Sequence, residues 1–196
     1  MSSQNSVTPS PDGIAASVRA HAGKGLPPVD KWTPDLSGTM DIRIARDGTW
    51  YHEGGPIRRA GLVKLFSSIL KRERDAYFLV TPVEKWRIEV EDAPFVATDV
   101  EIEGAGDGQA LTFTTHVGDR VVAGPDHAIR VTRDPETGEP SPYVHVRGGL
   151  EALIDRKTFY RLAEVGEVAE RDGSDWFGLW SDGAFFAMIP ADEMPD

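Results

Sequence analysis

Apolar and polar residues alternate along most of the segment 84–147. Trp86 and Ile88 have charged neighbours on both sides, and Val100 and Ile102 repeat the pattern further along the chain. A period of two is typical of half-buried antiparallel strands, because successive side chains of a strand point to opposite faces of the sheet. Glycine and proline interrupt the alternation at short intervals. The segment is therefore predicted to form a β-meander.

A strand–strand–helix–strand unit is predicted ahead of this meander. Alternation over 40–52 is interrupted by Asp47-Gly48, which is typical of a hairpin turn. Apolar residues recur at helical spacing over 58–74, which predicts the clearest helix of the chain. A short apolar strand follows at 76–80 and ends before a Thr-Pro pair.

The C-terminal part is predicted to combine a strand at 143–147, a helix at 156–170 and a closing hairpin over 176–189. The stretches 50–80 and 143–188 share one outline of strand, Gly-Gly pair, apolar residue, helix and strand. This likeness suggests a degenerate internal duplication, with chance similarity as the alternative.

These elements predict an α+β fold with two domains. The domain boundaries are predicted at 36–83 for the small unit and 84–196 for a larger, mostly antiparallel β domain with a C-terminal helix and hairpin. The preceding segment 1–35 is expected to be flexible, because its first 13 residues are rich in Ser, Pro and Gly and have little apolar surface to bury. A weak helical pattern covers 14–22 within it.

Charge is distributed unevenly along the 196 residues. The net charge is −11, but residues 41–88 have ten basic and six acidic side chains, whereas residues 89–196 have eight basic and twenty-three acidic ones. The acidic total disfavours binding of a nucleic acid polymer, which needs a broad basic face. It leaves open a small basic site for one anionic ligand, and it is also compatible with two solvated charged faces.

Composition excludes several other classes of site and protein. The chain has no cysteine, so disulfides, thiolate metal sites and thiol nucleophiles are absent. No apolar run approaches the roughly 20 residues that span a bilayer, and the N-terminus lacks a signal-peptide pattern. We therefore expect no membrane insertion and a cytoplasmic location.

Sequence motifs of catalysis and cofactor binding are lacking. The five histidines show neither His-x-His nor i, i+4 spacing, so no metal site is predicted. A Gly-x-Ser-x-Gly elbow is absent, and the glycine-rich stretch 104–108 lacks the Lys-Ser/Thr and the helix of a phosphate-binding loop. No catalytic residue and no cofactor are predicted, so the sequence favours a protein without enzymatic activity but leaves an enzyme open as the alternative.

One cluster of residues suggests a ligand site at the start of the predicted helix. Amides at a helix start, together with guanidinium groups, can hold a phosphate or carboxylate, and an aromatic ring nearby can stack on a ligand. A Gly-Gly-Pro corner and a core tryptophan would produce the same pattern without a ligand. The candidate ligand-binding residues are Arg43, Trp50, His52, Arg58, Arg59 and Lys85.

Four segments carry a resemblance to a known family. They are DIRIARDGTWYHEGGPIRR, YFLVTPVEKWRIEVEDAPFVA, VGDRVVAGPDHAIRV and PYVHVRGGLEALIDRKTFY, and they span most of 41–163. The sequence resembles the bacterial family called domain of unknown function 1285. The resemblance implies an α+β core with domain duplication and a C-terminal domain similar to pleckstrin-homology-like folds. It also implies a site between the domains for a nucleotide-like ligand in signalling.

The leading functional hypothesis is a non-enzymatic sensor or adaptor that binds a small anionic, nucleotide-like ligand. A second hypothesis is a hydrolase of a phosphorylated small molecule, with Glu53, Asp41 or Asp47 binding a divalent cation and His52 acting as acid and base. A third is a protein-interaction module that binds a protein partner through a sheet edge or a helix.

Overall fold

The chain folds as two compact units. The computed structural model describes residues 10–21 and 23–194. Met1–Ala45 and Thr49–Glu91 form the N-terminal unit, and Arg46–Gly48 with Asp92–Asp196 form the C-terminal unit. Helices and sheets are both present, which agrees with the predicted α+β fold.

The described part of the N-terminal unit contains two α-helices and a six-stranded sheet. The strand order is β3-β2-β1-β6-β5-β4, in which β1 and β6 are parallel and all other neighbours are antiparallel. The elements are α1 (Pro11–Ala20), β1 (Leu36–Ile44), β2 (Trp50–His52), β3 (Gly55–Pro56), α2 (Ala60–Ser68), β4 (Leu70–Glu73), β5 (Ala76–Val80) and β6 (Lys85–Val90).

The C-terminal unit contains a second six-stranded sheet, one α-helix and a three-stranded sheet. The larger sheet has the order β10-β11-β12-β7-β8-β9, and the smaller sheet has the order β13-β14-β15. The elements are β7 (Phe95–Glu103), β8 (Ala110–Thr115), β9 (Arg120–Val122), β10 (Ile129–Arg133), β11 (Pro140–Arg147), β12 (Leu150–Ile154), α3 (Arg156–Ala163), β13 (Glu167–Arg171), β14 (Ser174–Ser181) and β15 (Ala184–Pro190).

The two six-stranded sheets share one topology. In each, three consecutive strands run from the centre to one edge, and the next three return from the other edge to the centre. The first and last strands of each set are parallel neighbours, β1 with β6 and β7 with β12. By strand position β2 corresponds to β8, whereas the predicted duplication matched β2 with β11.

The core of the N-terminal unit lies where α2 packs on the sheet. Trp50 is 1% exposed, and its ring centroid is 6.1 Å from that of Phe66 on α2. Ile42 and Ile44 of β1 are also buried, two residues apart as the alternation of a strand requires. Ile14 on α1 is buried as well, which gives this helix an apolar face.

The predicted helix over 58–74 is shorter in the structure. The helix ends at Ser68, and β4 begins two residues later. Leu70 pairs with Leu79 and Glu73 with Ala76, so strand pairing across a tight turn outweighs the helical spacing of the apolar residues. The predicted helix 156–170 likewise ends at Ala163, because the residues that follow pair with β14.

The boundary between the units lies after β6, at 91/92, where the sequence predicted it at 83/84. The residues of β6 pair with β1 and β5 of the first sheet, although their alternation continues that of the meander. The predicted closing hairpin is part of a three-stranded sheet, since β13 adds to its edge. For the predicted flexible segment 1–35, residues 1–9 and 22 lie outside the described part.

One histidine fixes a turn within the C-terminal unit. The amide of Val96 donates a hydrogen bond to Nδ1 of His116 at 3.1 Å, and the amide of His116 donates to the Val96 carbonyl at 2.8 Å. A side chain at Gly48 would place its Cβ 3.1 Å from Nε2 of the same ring. Glycine at this position therefore lets the 46–48 turn approach the imidazole.

The pKa of His116 is lowered from 6.5, mainly because the surrounding protein desolvates its ring, although the residue as a whole is exposed. Protonation at Nδ1 would also remove the acceptor for the Val96 amide. Because the unfolded chain takes up this proton first, stability should be complete above about pH 6.5 and should fall as the pH drops toward the folded-state pKa. An NMR titration of the histidines should give a midpoint for His116 below 6.5.

The variant His116→Asn should make unfolding less sensitive to pH in this acidic range, because the amide oxygen of asparagine can accept the Val96 hydrogen bond without titrating. Chemical denaturation at several pH values compares the two proteins. A midpoint for His116 at or above 6.5, or an unchanged pH slope in the variant, would contradict this interpretation.

Candidate functional site

A depression of about 390 Å³ lies beside the start of α2. The end of β2, the short strand β3 and the first turns of α1 and α2 surround it. Three of the six predicted ligand residues line this depression together, namely His52, Arg58 and Arg59. We refer to these three residues as the basic corner.

A tight turn between β2 and β3 shapes the basic corner. Glu53 and Gly54 have φ values of 48° and 76°, and His52 pairs with Gly55 across them. Two consecutive residues with positive φ are typical of a type I′ hairpin turn, which suits glycine at the second position. The chain then turns into α2, whose N-cap is Arg59.

His52 has a fixed orientation in this corner. Its Nδ1 lies 2.9 Å from the Asp41 carbonyl oxygen. Since a carbonyl only accepts, Nδ1 carries the proton and Nε2 is the acceptor of the neutral ring. Protonation of Nε2 would add a donor and a positive charge without disturbing the bond to Asp41.

The two arginines differ in their partners. Arg59 Nη2 donates to the Asp12 carboxylate of α1 at 2.9 Å, in a pair whose side chains are 66% and 76% exposed. Such an exposed pair contributes about 0–1 kcal/mol. Arg58 is exposed and has no hydrogen bond or ion pair to any residue in the described part of the chain.

Trp50 does not have the predicted stacking role. It is 1% exposed and packs against Phe66, so its ring is part of the core and offers no face to a ligand. Trp50 and His52 lie on the same side of β2, as the alternation of a strand predicts. The tryptophan packs against Phe66 of α2, whereas the histidine lines the depression beside the start of that helix.

Arg43 and Lys85 lie outside the basic corner. Arg43 forms an ion pair with Glu91, and its guanidinium carbon is 4.4 Å from the centroid of the Tyr51 ring. Lys85 donates to Glu73 at 3.1 Å. This hydrogen bond holds the pKa of the Glu73 carboxyl below its usual value. Both predicted ligand residues therefore have structural partners, and neither lines the basic corner.

The acidic residues of the hydrolase hypothesis do not form a metal centre. Within residues 10–21 and 23–194, no group of three or more His, Asp or Glu side chains is arranged to hold a metal ion. Asp41 is on β1, Asp47 is in the 46–48 turn, and Glu53 is in the turn after β2. They come from three separate positions of the chain.

Two models of protein-family domains match this chain. The N-terminal domain model of DUF1285, a domain of unknown function, matches residues 27–93, and the C-terminal domain model of the same family matches 94–188. The chain belongs to the DUF1285 family. The division between the two matched segments, at 93/94, falls close to the boundary between the compact units at 91/92.

Two solved structures are similar to this DUF1285 protein. A DUF1285 family protein from Silicibacter pomeroyi DSS-3 is 61% identical, with a TM-score of 0.84, and the match covers 92% of this chain and 97% of that one. A DUF1285 family protein from Shewanella baltica OS155 is 30% identical, with a TM-score of 0.51 and coverage of 64% and 91%. No curated protein matches the chain.

A second, larger depression was missed by the sequence analysis of this DUF1285 protein. It measures about 650 Å³ and lies in the C-terminal unit, where Arg46, Arg133 and Arg156 line it together with aromatic residues. These arginines are far apart in the sequence, and the net charge of residues 89–196 is strongly negative. The only local signal in the sequence is the turn-rich stretch 133–142, which contains three prolines and one glycine.

In the same described residues, no helix is long and apolar enough to cross a membrane. The longest of the three α-helices, α1, has ten residues.

The core position of Trp50 predicts a stability effect that does not depend on any ligand. Trp50→Ala should cost about 3–5 kcal/mol of unfolding free energy, because it leaves a cavity under α2. Trp50→Phe should cost less unfolding free energy, since it keeps most of the apolar volume. It replaces the alanine variant in the measurement if that variant does not fold. Val83→Ala is the control, because Val83 is 70% exposed. If chemical denaturation gave Trp50→Phe the same unfolding free energy as the wild type, the core position of Trp50 would be contradicted.

Proposed function

We propose that this protein is a non-enzymatic sensor or adaptor that binds the anionic group of a small ligand at the basic corner. The observation that carries the proposal is the convergence of His52, Arg58 and Arg59 on one depression at the start of α2. The anionic group would be a phosphate or a carboxylate. A nucleotide-like ligand is the form that the family resemblance suggests.

The start of α2 favours an anion for two reasons. The first turn of a helix has amides without intrahelical partners and carries a partial positive charge. In α2 the N-cap residue, Arg59, makes no side-chain cap, and the first turn has no acidic residue. An anion can therefore accept hydrogen bonds from backbone and guanidinium donors at the same place.

Arg58 is the residue most available to a ligand. It lines the depression and has no partner among the described residues, so binding an anion would not require it to break an existing ion pair. Arginine suits this role because its planar guanidinium can hold a phosphate or carboxylate with two parallel hydrogen bonds. His52 would add a third donor when its ring is protonated.

A thermal-shift screen tests the proposal. The panel contains nucleotides, cyclic dinucleotides, sugar phosphates and divalent cations. A ligand that binds only the folded protein adds about 2.7 kcal/mol of stability at 100 times its Kd, which is a readily measured shift in Tm. Stabilisation by an anionic compound is the expected result. Stabilisation only by metal ions would favour the hydrolase hypothesis, and no shift with any compound would favour a protein-interaction module.

Arg58→Ala should weaken the binding of any anionic hit at least about tenfold, because a hydrogen bond to a charged group is lost. The unliganded protein should keep its stability, since exposed substitutions of this kind change it by less than about 0.5 kcal/mol. Arg19→Ala is the matched control, because Arg19 is also exposed but lies at the other end of α1. Equal affinity in both variants would contradict the assignment of the basic corner.

Asp12→Asn should strengthen the binding of the same hit. In the unliganded protein the Asp12 carboxylate occupies one nitrogen of Arg59, so an incoming anion competes with it. The exposed pair is weak, so we expect about a two- to fivefold gain in affinity, within the range of a surface ion pair. Isothermal titration of wild type and variant measures the gain, and Asp75→Asn is a control in the β4–β5 turn. An unchanged or weaker affinity would argue against competition.

Internal duplication of the fold, and a pleckstrin-homology-like C-terminal unit, are also part of the proposal. The common strand order of the two large sheets supports duplication, and a mostly antiparallel sheet followed by α3 supports the second likeness. Two duplicated units should each be able to fold alone. Cooperative unfolding of the separately produced segment 10–91 would support this, and its failure to unfold cooperatively would count against it. Segment 92–194 alone lacks the 46–48 turn of its own unit, so it is not the matching test.

A further inference from the structure

The larger depression, of about 650 Å³, has the size of a small-molecule site. The β10–β11 hairpin, the end of β12 and the start of α3 form its walls, and Arg46 enters from the 46–48 turn. All of these segments belong to the C-terminal unit. The depression shares no residue with the basic corner, so a ligand could bind here whether or not the basic corner binds one.

Aromatic and proline side chains supply the apolar part of the wall. Tyr143 is nearly buried at 5% exposure, and its hydroxyl donates to Asp92 at 2.7 Å. Burial and this hydrogen bond raise the pKa of Tyr143, so it stays a neutral phenol. Phe159 is half-buried and Tyr160 is 55% exposed, so these two residues of α3 give most of the accessible ring surface. A flat apolar ligand group would find stacking partners here.

Two of the arginines in the depression are already held. Arg46 contacts Asp92 at 3.1 Å and donates to the Ser141 hydroxyl at 2.9 Å. Arg133 is 3.2 Å from Glu193. These pairs fix the walls and leave the third arginine as the available cation.

Two of the acidic groups in the same wall are occupied by the backbone. Asp134 accepts hydrogen bonds from the amides of Glu136 and Thr137 at 2.9 and 2.8 Å, which lowers its pKa. Asp155 caps α3 by accepting from the Thr158 amide at 2.8 Å. Both carboxylates are therefore used in forming a turn and a helix end. The third acidic residue of the wall, Glu139, acts on Arg156 through its charge but forms no salt bridge with it.

Arg156 combines availability with a fixed position. Its Nε donates to the Tyr160 hydroxyl at 2.9 Å, and its guanidinium carbon is 5.5 Å from the centroid of the same ring. Its two terminal nitrogens have no hydrogen-bond partner among the described residues. The ring partner restrains the long side chain, and a guanidinium with two free nitrogens can bind a carboxylate or phosphate in bidentate fashion.

We propose that this depression is a second ligand site, which binds a planar aromatic anion. Arg156 holds the carboxylate or phosphate group, and the rings of Phe159 and Tyr160 contact the flat part of the ligand. Two features of the wall support this chemistry: a guanidinium whose two terminal nitrogens have no hydrogen-bond partner among the described residues, and aromatic surface on the same turn of α3. A purely inorganic anion would use only the first of them, and a neutral ring only the second.

NMR titration of the full chain with phenyl phosphate and with benzoate tests the proposal. Both probes should give saturable chemical-shift changes at Phe159, Tyr160 and their neighbours. Inorganic phosphate and benzyl alcohol should each bind at least about tenfold more weakly, because each lacks one of the two interactions. No saturable binding of either aromatic anion up to tens of millimolar, or shifts confined to the basic corner, would overturn the proposal.

Three variants assign the role of the residues. Arg156→Gln should weaken phenyl phosphate at least about tenfold, and Tyr160→Phe by a smaller factor, since it removes the hydroxyl that orients Arg156 but keeps the ring. Arg120→Gln is the control, because Arg120 is an exposed arginine on β9 that pairs with Glu101. Equal affinity in Arg156→Gln and Arg120→Gln would overturn the assignment.

Discussion

Each large sheet depends on one pair of parallel strands at its centre. In the N-terminal unit β1 pairs with β6, and in the C-terminal unit β7 pairs with β12. A parallel pair cannot be joined by a tight hairpin, so the chain must travel from one strand to the other through additional structure. In both units the four intervening strands make this journey, out to one edge of the sheet and back from the other.

The position of the basic corner follows from this path. In the N-terminal unit the chain reaches one edge at β3 and must cross to the other edge at β4, and α2 makes this crossing. The packing of Phe66 on Trp50 fixes the helix over the sheet. The start of α2 consequently lies at the β3 edge, beside His52. Arg58 and Arg59 are in the short connection between β3 and α2. The buried Trp50 thus fixes the position of α2 and so of the basic corner, but it is not one of the residues that line the corner.

Local patterns in the sequence predicted much of this fold, but they did not show which strands are neighbours. Alternation identified β6 as a strand, yet it could not show that Lys85–Val90 pairs with β1, since pairing partners are set by long-range contacts. The helical spacing through Leu70 was real but was overridden by pairing with Leu79. The fold class was predictable because periodicity is a local property, whereas the boundary at 91/92 depends on the whole sheet.

For the sites, the sequence indicates where cations are concentrated, but the structure shows which of them are unpaired. Arg43, Lys85, Arg46 and Arg133 all have carboxylate partners that come from distant positions or from other strands. A paired arginine must exchange one anion for another, so its net gain on binding a ligand is small. Neither Arg58 nor Arg156 forms an ion pair among the described residues, and each lies at the start of a helix in a depression. The basic excess of residues 41–88 therefore led to Arg58, but the acidic surroundings in the sequence hid Arg156. Two of the three carboxylates that line its depression, Asp134 and Asp155, are engaged by backbone amides.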